Sequence, residues 1–202
     1  MNPDLPRIAA RRRVHTGWNV LDIVSVEAAD SDGTIRRHDR EVIDHGEAAV
    51  VLVVDPGREV AILVRQWRAG LLEKVADPYL LEACAGIIDP GETAEEAARR
   101  EVAEEIGLKV GALRPMGVVV PSAGTLTERM HLFVAEVSPL DKIEGGGGNA
   151  HEGEQIEVVE VKLAELYSMA RRGAIEDAKT LILVQTLMLE EFERREAGLS
   201  AG

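Results

Sequence analysis

Residues 86–108 read GIIDPGETAEEAARREVAEEIGL, and this stretch decides the fold. Asp89-Pro90-Gly91 is a turn, because proline suits its second position and glycine tolerates positive φ at the third. Thr93 has the chemistry of an N-cap, and Glu96 completes a capping box with it. The spacing predicts a helix from Ala94 to Ile106 that stops at Gly107. Along that helix Glu105 lies one turn beyond Glu101, and Glu104 flanks them on the same side. Ala98, Val102 and Ile106 form the adjacent apolar stripe that packs the helix down. Three carboxylates thus project together from an anchored element, a set of hard oxygen donors suited to Mg²⁺ or Mn²⁺. Glu92 lies just outside the helix, where it can pair with Arg100 and tie loop to helix.

A helix rich in glutamate and arginine is more often a solvated face laced with i,i+4 pairs. Here the spacing argues for chemistry instead. Gly86, five residues, Glu92, seven residues, Arg100-Glu101-Val102, any residue, Glu104-Glu105, any residue, Gly107-Leu108 resembles the Nudix box at every specified position. That resemblance implies hydrolysis of a nucleoside diphosphate linked to some other group.

The chain has 202 residues, enough for one domain with a small appendage, and 46% of them are hydrophobic. Aromatic residues make up only 3%, so the core is expected to be aliphatic. The net charge of −13 argues against a nucleic-acid binder, which would need a basic face for phosphates. It leaves room for a small anionic substrate, since metal ions and local arginines reverse the field at a site. No apolar run reaches membrane-spanning length and no leader pattern is seen, so neither membrane nor secretion is expected. Cys84 is the single cysteine, which fits a cytoplasmic setting and reads as a small buried filler.

Residues 1–13 carry little apolar pattern and read as a loosely held arm. Strand-like runs follow at Trp18 to Glu27, Gly33 to Arg40 and Glu41 to Ile43, with Ser31-Asp32-Gly33 as a hairpin turn. This antiparallel sheet is too thin to bury much alone and calls for a partner surface. From Ala48 the pattern changes: AAVVLVV over 48–54 is a buried strand, and Glu59 to Arg65 returns after Asp55-Pro56-Gly57. Further strands are expected at Leu80 to Ala85, Met116 to Val120, Arg129 to Val137 and Ile156 to Val161. Gly145 to Gly148 reads as a flexible loop. Helices are expected at Leu163 to Arg172 and from Asp177 to about Ala197. Strands, helix, strands, helices spell an α+β fold with a mixed sheet and helices outside it. The expected division is 1–47 for the small N-terminal sheet and 48–202 for the main domain.

The likeness extends beyond the box. Arg65-Gln66-Trp67-Arg68, Leu81 to Gly86, Pro121-Ser122-Ala123-Gly124 with Thr127-Glu128, Gly146 through Glu154, and Ile156-Glu157-Val158 resemble the ADP-ribose and GDP-mannose hydrolase branch of the Nudix family. The run Gly173 to Thr180 and the approach Glu82-Ala83-Cys84-Ala85-Gly86 look closest to the GDP-mannose side. Ala123 departs from the branch, because related ADP-ribose hydrolases carry proline there. The resemblance implies a Nudix α/β/α sandwich plus an N-terminal antiparallel sheet exchanged in a homodimer. It carries metal ligation to the Ala85 carbonyl, Glu101, Glu105 and Glu154. It carries the catalytic base to Glu152, and Glu104 is a second candidate that could orient water. Substrate contacts fall on Arg68, Glu128, Lys179, Asp44 and His45. The implied substrate is a nucleotide sugar: GDP-mannose, with ADP-ribose as the alternative and a non-catalytic nucleotide-sugar sensor a further one. The five histidines show no paired ligand spacing, so none is expected to hold metal.

Overall fold

The computed structural model describes residues 5–143, 146–148 and 155–200. The chain divides into two compact units, Met1–Glu47 with Val120–Arg129, and Ala48–Val119 with Met130–Gly202.

The second unit is built on β4 (Ala48–Asp55), whose eight residues are all buried. Burial on both faces is what a continuous Val/Leu run requires. Antiparallel partners surround it: β5 (Val60–Trp67) beyond the Asp55-Pro56-Gly57 turn, and β7 (Cys84–Ile87) on the other half of the same edge. On its far edge β4 runs parallel to β9 (Met130–Glu136). Strand β6 (Tyr79–Glu82) pairs with β5, β8 (Leu113–Val119) with β9, and β10 (Glu157–Lys162) with β5. The result is the expected mixed sheet, seven-stranded, with β10-β5-β4-β9-β8 as its main path.

Alternation along β4 sends successive residues to opposite layers. Val50, Leu52 and Val54 pack with Leu166 and Ala170 of α2 (Leu163–Arg171) and Leu183 and Leu187 of α3 (Ala178–Ser200). Ala49, Val51 and Val53 pack with Ala97 and Ala98 of α1 (Ala94–Glu101) and with Val102 and Ile106 beyond it. Helices thus cover both faces, and the sandwich expected from the sequence is present.

Three sequence expectations need correction here. The stretch from Leu80 to Ala85 is not one strand: Ala83 separates β6 from β7, which pair with different neighbours. The box helix is α-helical only to Glu101, and Val102–Ile106 form a π-helical turn before Gly107 closes it with φ of 73°. Periodicity cannot signal that change, because one extra residue in a turn leaves the apolar stripe almost in place. Gly146 to Gly148 are also not a free tether. All three take positive φ, and Gly147 and Gly148 N–H donate to the carbonyls of Glu105 and Glu104 at 2.8 and 3.2 Å. Glycine is needed here for its shape, and the run caps the end of the π turn.

The first unit holds a three-stranded antiparallel sheet, β1 (Arg7–Thr16), β2 (Val20–Ala29) and β3 (Ile35–Asp44), with β2 central. The arm expected over residues 1–13 is therefore a strand from Arg7 onward. Its cause is buried charge: Asp22 on β2 is 1% exposed and accepts from Arg11 at 2.9 Å and Arg13 at 2.6 Å. An interior carboxylate needs such partners, so the basic run is fixed in register. The two runs expected at 33–40 and 41–43 form one strand, β3. The turn at Ser31-Asp32-Gly33 stands as expected, closed by Gly33 N–H to the Asp30 carbonyl at 2.9 Å. Residues 122–127 attach to the end of β3, with Ile43 N–H donating to Thr125 at 2.8 Å and Thr127 N–H to Ile43 at 3.0 Å.

Candidate active site

The box begins at the end of β7 and doubles back through the Asp89–Gly91 turn into α1. Thr93 caps the helix as its sequence implies: Glu96 N–H donates to the Thr93 hydroxyl at 3.2 Å, and Thr93 N–H to the Glu96 carboxylate at 2.8 Å. Arg100 clamps loop to helix. It reaches Glu92 at 2.9 and 3.1 Å and the Ile87 carbonyl at 2.9 Å. Hydrogen bonding to Arg100 holds the Glu92 carboxyl below its ordinary value. Bonding to Glu92 and Glu101 in turn raises the Arg100 guanidinium.

This clamp aims Glu101 and Glu105 at the strand that precedes the loop. Glu105 is 2% exposed, and its Oε2 accepts from Ala85 N–H at 3.2 Å. Glu101 lies directly over Gly86: a Cβ there would stand 1.9 Å from Glu101 Oε1. Two carboxylates therefore crowd the Ala85-Gly86 backbone, and glycine at 86 is what leaves room for them. Carboxylate oxygens beside a backbone carbonyl form a hard donor set, which fits a divalent cation. Among the described residues no three acidic, His or Cys side chains close on one point. Glu154, the remaining expected ligand, lies outside the described residues, as does Glu152.

Glu104 departs from its expected place. Its side chain is 48% exposed and pairs with Arg100 at 3.3 Å, while Glu101 takes the same guanidinium nitrogen at 2.6 Å. Arg100 thus stands between the solvent-facing Glu104 and the inward pair.

Arg68 and Lys179, expected at the substrate, converge on a residue the sequence reading passed over. Glu82, at the end of β6, is 1% exposed. Its two oxygens accept from Arg68 Nε at 2.7 Å and Nη2 at 2.9 Å, and Lys179 Nζ also donates to it. Burial pushes the Glu82 carboxyl up, but Arg68 and Lys179 together outweigh it and leave it below its ordinary value. Lys179 is shared with Asp177 at 2.8 Å, and Asp177 accepts from Thr180 N–H at 3.0 Å. Thr180, fully buried, accepts at its hydroxyl from Ala83 N–H at 2.6 Å. The signal was legible: one carboxylate inside the apolar run Leu80-Leu81-Glu82-Ala83 has to find cations.

Asp44, His45 and Glu128 lie in the first unit. Asp44 accepts from the Thr127 hydroxyl at 2.8 Å and from Gly46 N–H at 3.1 Å, and these bonds lower its carboxyl, Thr127 most. His45 Nε2 stands 3.6 Å from Glu128 Oε1. The attachment of residues 122–127 to β3 brings the three together.

Known proteins resemble this chain in sequence and in fold. The NUDIX domain pattern matches residues 44–183. The chain is 39% identical to the GDP-mannose pyrophosphatase of Cronobacter sakazakii over 171 residues, 84% of this chain and 88% of that protein. It is 38% identical to the Klebsiella pneumoniae GDP-mannose pyrophosphatase, covering 84% and 85%. An ADP compounds hydrolase crystal structure superposes with a TM-score of 0.69 at 22% identity, over 94% of this chain and 96% of that one, a likeness of fold. The box glutamates lie inside the matched span, at the place on the sheet where the fold brings them to a strand end, and the chain belongs to the Nudix family.

Proposed function

We propose that this protein hydrolyses the pyrophosphate bond of a nucleoside diphosphate sugar, converting GDP-mannose to GMP and mannose 1-phosphate. The observation that carries the reading is the seating of Glu101 and Glu105 against the Ala85-Gly86 backbone. The names of relatives at 35–39% identity support the choice of GDP-mannose. A nucleotide-sugar sensor would have no use for this set of box carboxylates.

The Ala85 carbonyl, Glu101, Glu105 and Glu154 would hold Mg²⁺, with Mn²⁺ able to substitute. When bound, the cation neutralises phosphoryl oxygens that otherwise repel a nucleophile. Glu152 takes a proton from the attacking water, whose oxygen bonds to one phosphorus while the bridging oxygen leaves with the other phosphate. Arg68 offers a guanidinium edge to a phosphate, with Lys179 beside it. Asp44, His45 and Glu128 are the contacts for the rest of the substrate. Glu104 orients water at the solvent side.

The active form is a homodimer in which the segment 1–47 is exchanged between subunits. Supporting this, Ile8, Val14, Trp18 and Ile35 leave 58%, 49%, 77% and 59% of their surface exposed, apolar area that an assembled sheet would cover. No described helix is long and apolar enough to cross a membrane. Cys84, buried and the single cysteine of the chain, suits a reducing cytoplasm.

The test is a substrate panel of GDP-mannose, ADP-ribose, ADP-glucose and UDP-sugars with Mg²⁺, products identified by mass. GMP with mannose 1-phosphate as the preferred products is the expected result. Preference for ADP-ribose, giving AMP and ribose 5-phosphate, would replace the substrate. No turnover on any of them would overturn the reading.

A further inference from the structure

We propose that Glu82 is a positioning residue for substrate binding: it clamps one edge of the Arg68 guanidinium so that the opposite edge faces a substrate phosphate. The inference rests on the reading of Arg68 as a phosphate contact.

Glu82 cannot itself meet a substrate. It is 1% exposed, and its oxygens are already engaged by Arg68 and Lys179. Arg68 differs. Its side chain is 42% exposed, and Glu82 takes Nε and one hydrogen of Nη2. A guanidinium has five donors in a rigid plane, so Nη1 and the second Nη2 hydrogen remain on the far side. That pair forms the fork that fits two phosphate oxygens. With one edge fixed, the plane of the other is set before a ligand arrives, and less side-chain freedom is lost on binding.

The second cation has a different use. Lys179 is only 11% exposed and lies between Glu82 and Asp177. Asp177 is fixed by Thr180, and Thr180 is fixed by Ala83 N–H. The chain of contacts therefore returns to the residue that follows Glu82 and precedes the metal-facing strand β7. Two carboxylates and two cations leave this cluster neutral, and Arg68 is its most exposed member. A purely structural ion pair would explain the burial of Glu82. It would not make the benefit of Glu82 depend on Arg68.

A double-mutant cycle separates the two cases. Glu82→Gln, Arg68→Ala and the double variant are assayed for kcat and KM on whichever nucleotide sugar the wild-type protein hydrolyses fastest. Affinity for GDP is measured alongside by calorimetry, which reads the same cycle without turnover. Glu82→Gln should raise KM and the GDP Kd roughly tenfold, with kcat within about threefold of wild type. In the Arg68→Ala background the same change should move KM and Kd less than about twofold. Multiplying effects, or an unchanged KM and Kd in Glu82→Gln while Arg68→Ala is impaired, would overturn the role of Glu82. Unchanged KM and Kd in Arg68→Ala would instead overturn the assignment of Arg68, and the inference with it. If Glu82→Gln melts below the assay temperature, Glu82→Asp keeps the charge, withdraws the clamp by one methylene and is read through the same cycle.

Discussion

Gly86 is one of three glycines in the box, and a side chain there has no room. A methyl group there would occupy the place of the Glu101 carboxylate, 1.9 Å from its Oε1. Gly86→Ala should therefore cut turnover by ~10²-fold or more, about 2.7 kcal/mol of barrier, with the far-ultraviolet circular dichroism unchanged. Steady-state kinetics at saturating Mg²⁺ checks it, and near-normal kcat would mean that Glu101 has no part in the reaction. Glu105→Gln keeps the shape of the side chain and its bond to Ala85 N–H while removing the charge. A drop of similar size is expected, again about 2.7 kcal/mol. Glu82 gives a pH signature. Its folded pKa lies below the ordinary 4.5, so its contribution to stability is complete above about pH 4.5 and is lost as pH falls through the folded value. Urea midpoints in metal-free buffer should decline on acidification from about pH 5 downward, and decline less steeply in Glu82→Gln. At this scale the box residues were legible because their spacing is fixed by one helix. Glu82 was not assigned, because its partners Arg68 and Lys179 come from β5's end and α3, and no local pattern links them.

The capping box and the Glu92–Arg100 clamp follow from local rules, and both formed as the sequence implies. Thr93→Ala removes the hydroxyl that receives Glu96 N–H and should cost about 1 kcal/mol of stability, read as a lower urea midpoint with an unchanged slope. The π turn at Val102–Ile106 was not legible: Ala98, Val102 and Ile106 satisfy a helical stripe in either geometry. Its carbonyls find partners outside the helix, where Gly147 and Gly148 N–H donate to those of Glu105 and Glu104. A Cβ at Gly146 would come 3.0 Å from the Ile106 carbonyl carbon at a φ of 96°. Gly146→Ala should therefore destabilise the protein by ~1–3 kcal/mol, the scale of a strained backbone, and lower kcat through Glu105. A stable, fully active Gly146→Ala would show that the run is the slack tether its composition suggests. Strand β1 was missed for a related reason. Its side chains are exposed, so it shows no alternation, and its register is written in the Arg11 and Arg13 contacts to Asp22.

For the molecule as a whole, the order of elements and the layering were legible, because β4 carries a run that only a two-sided burial satisfies. Of the pairing partners of β4, β5 was legible from the Asp55-Pro56-Gly57 turn, but β7 and β9 were not, since distant strand neighbours are chosen by loops and twist and not by composition. Assembly gives a further prediction. The protein should sediment as a dimer at micromolar concentration, and Trp18→Glu, placed on the exposed indole of the first unit, should shift it toward monomer. An unaltered dimer would mean that the association uses another surface. The parallel pairing of β4 with β9 also sets a schedule for synthesis. One edge of β4 can be closed by β5 and β7 soon after they leave the ribosome, but the other waits until Met130–Glu136 has emerged. At ~5–20 residues per second, that interval is on the order of ten seconds. Throughout it the nascent chain presents an open aliphatic strand edge, a surface on which a holding chaperone binds or a neighbouring nascent chain pairs.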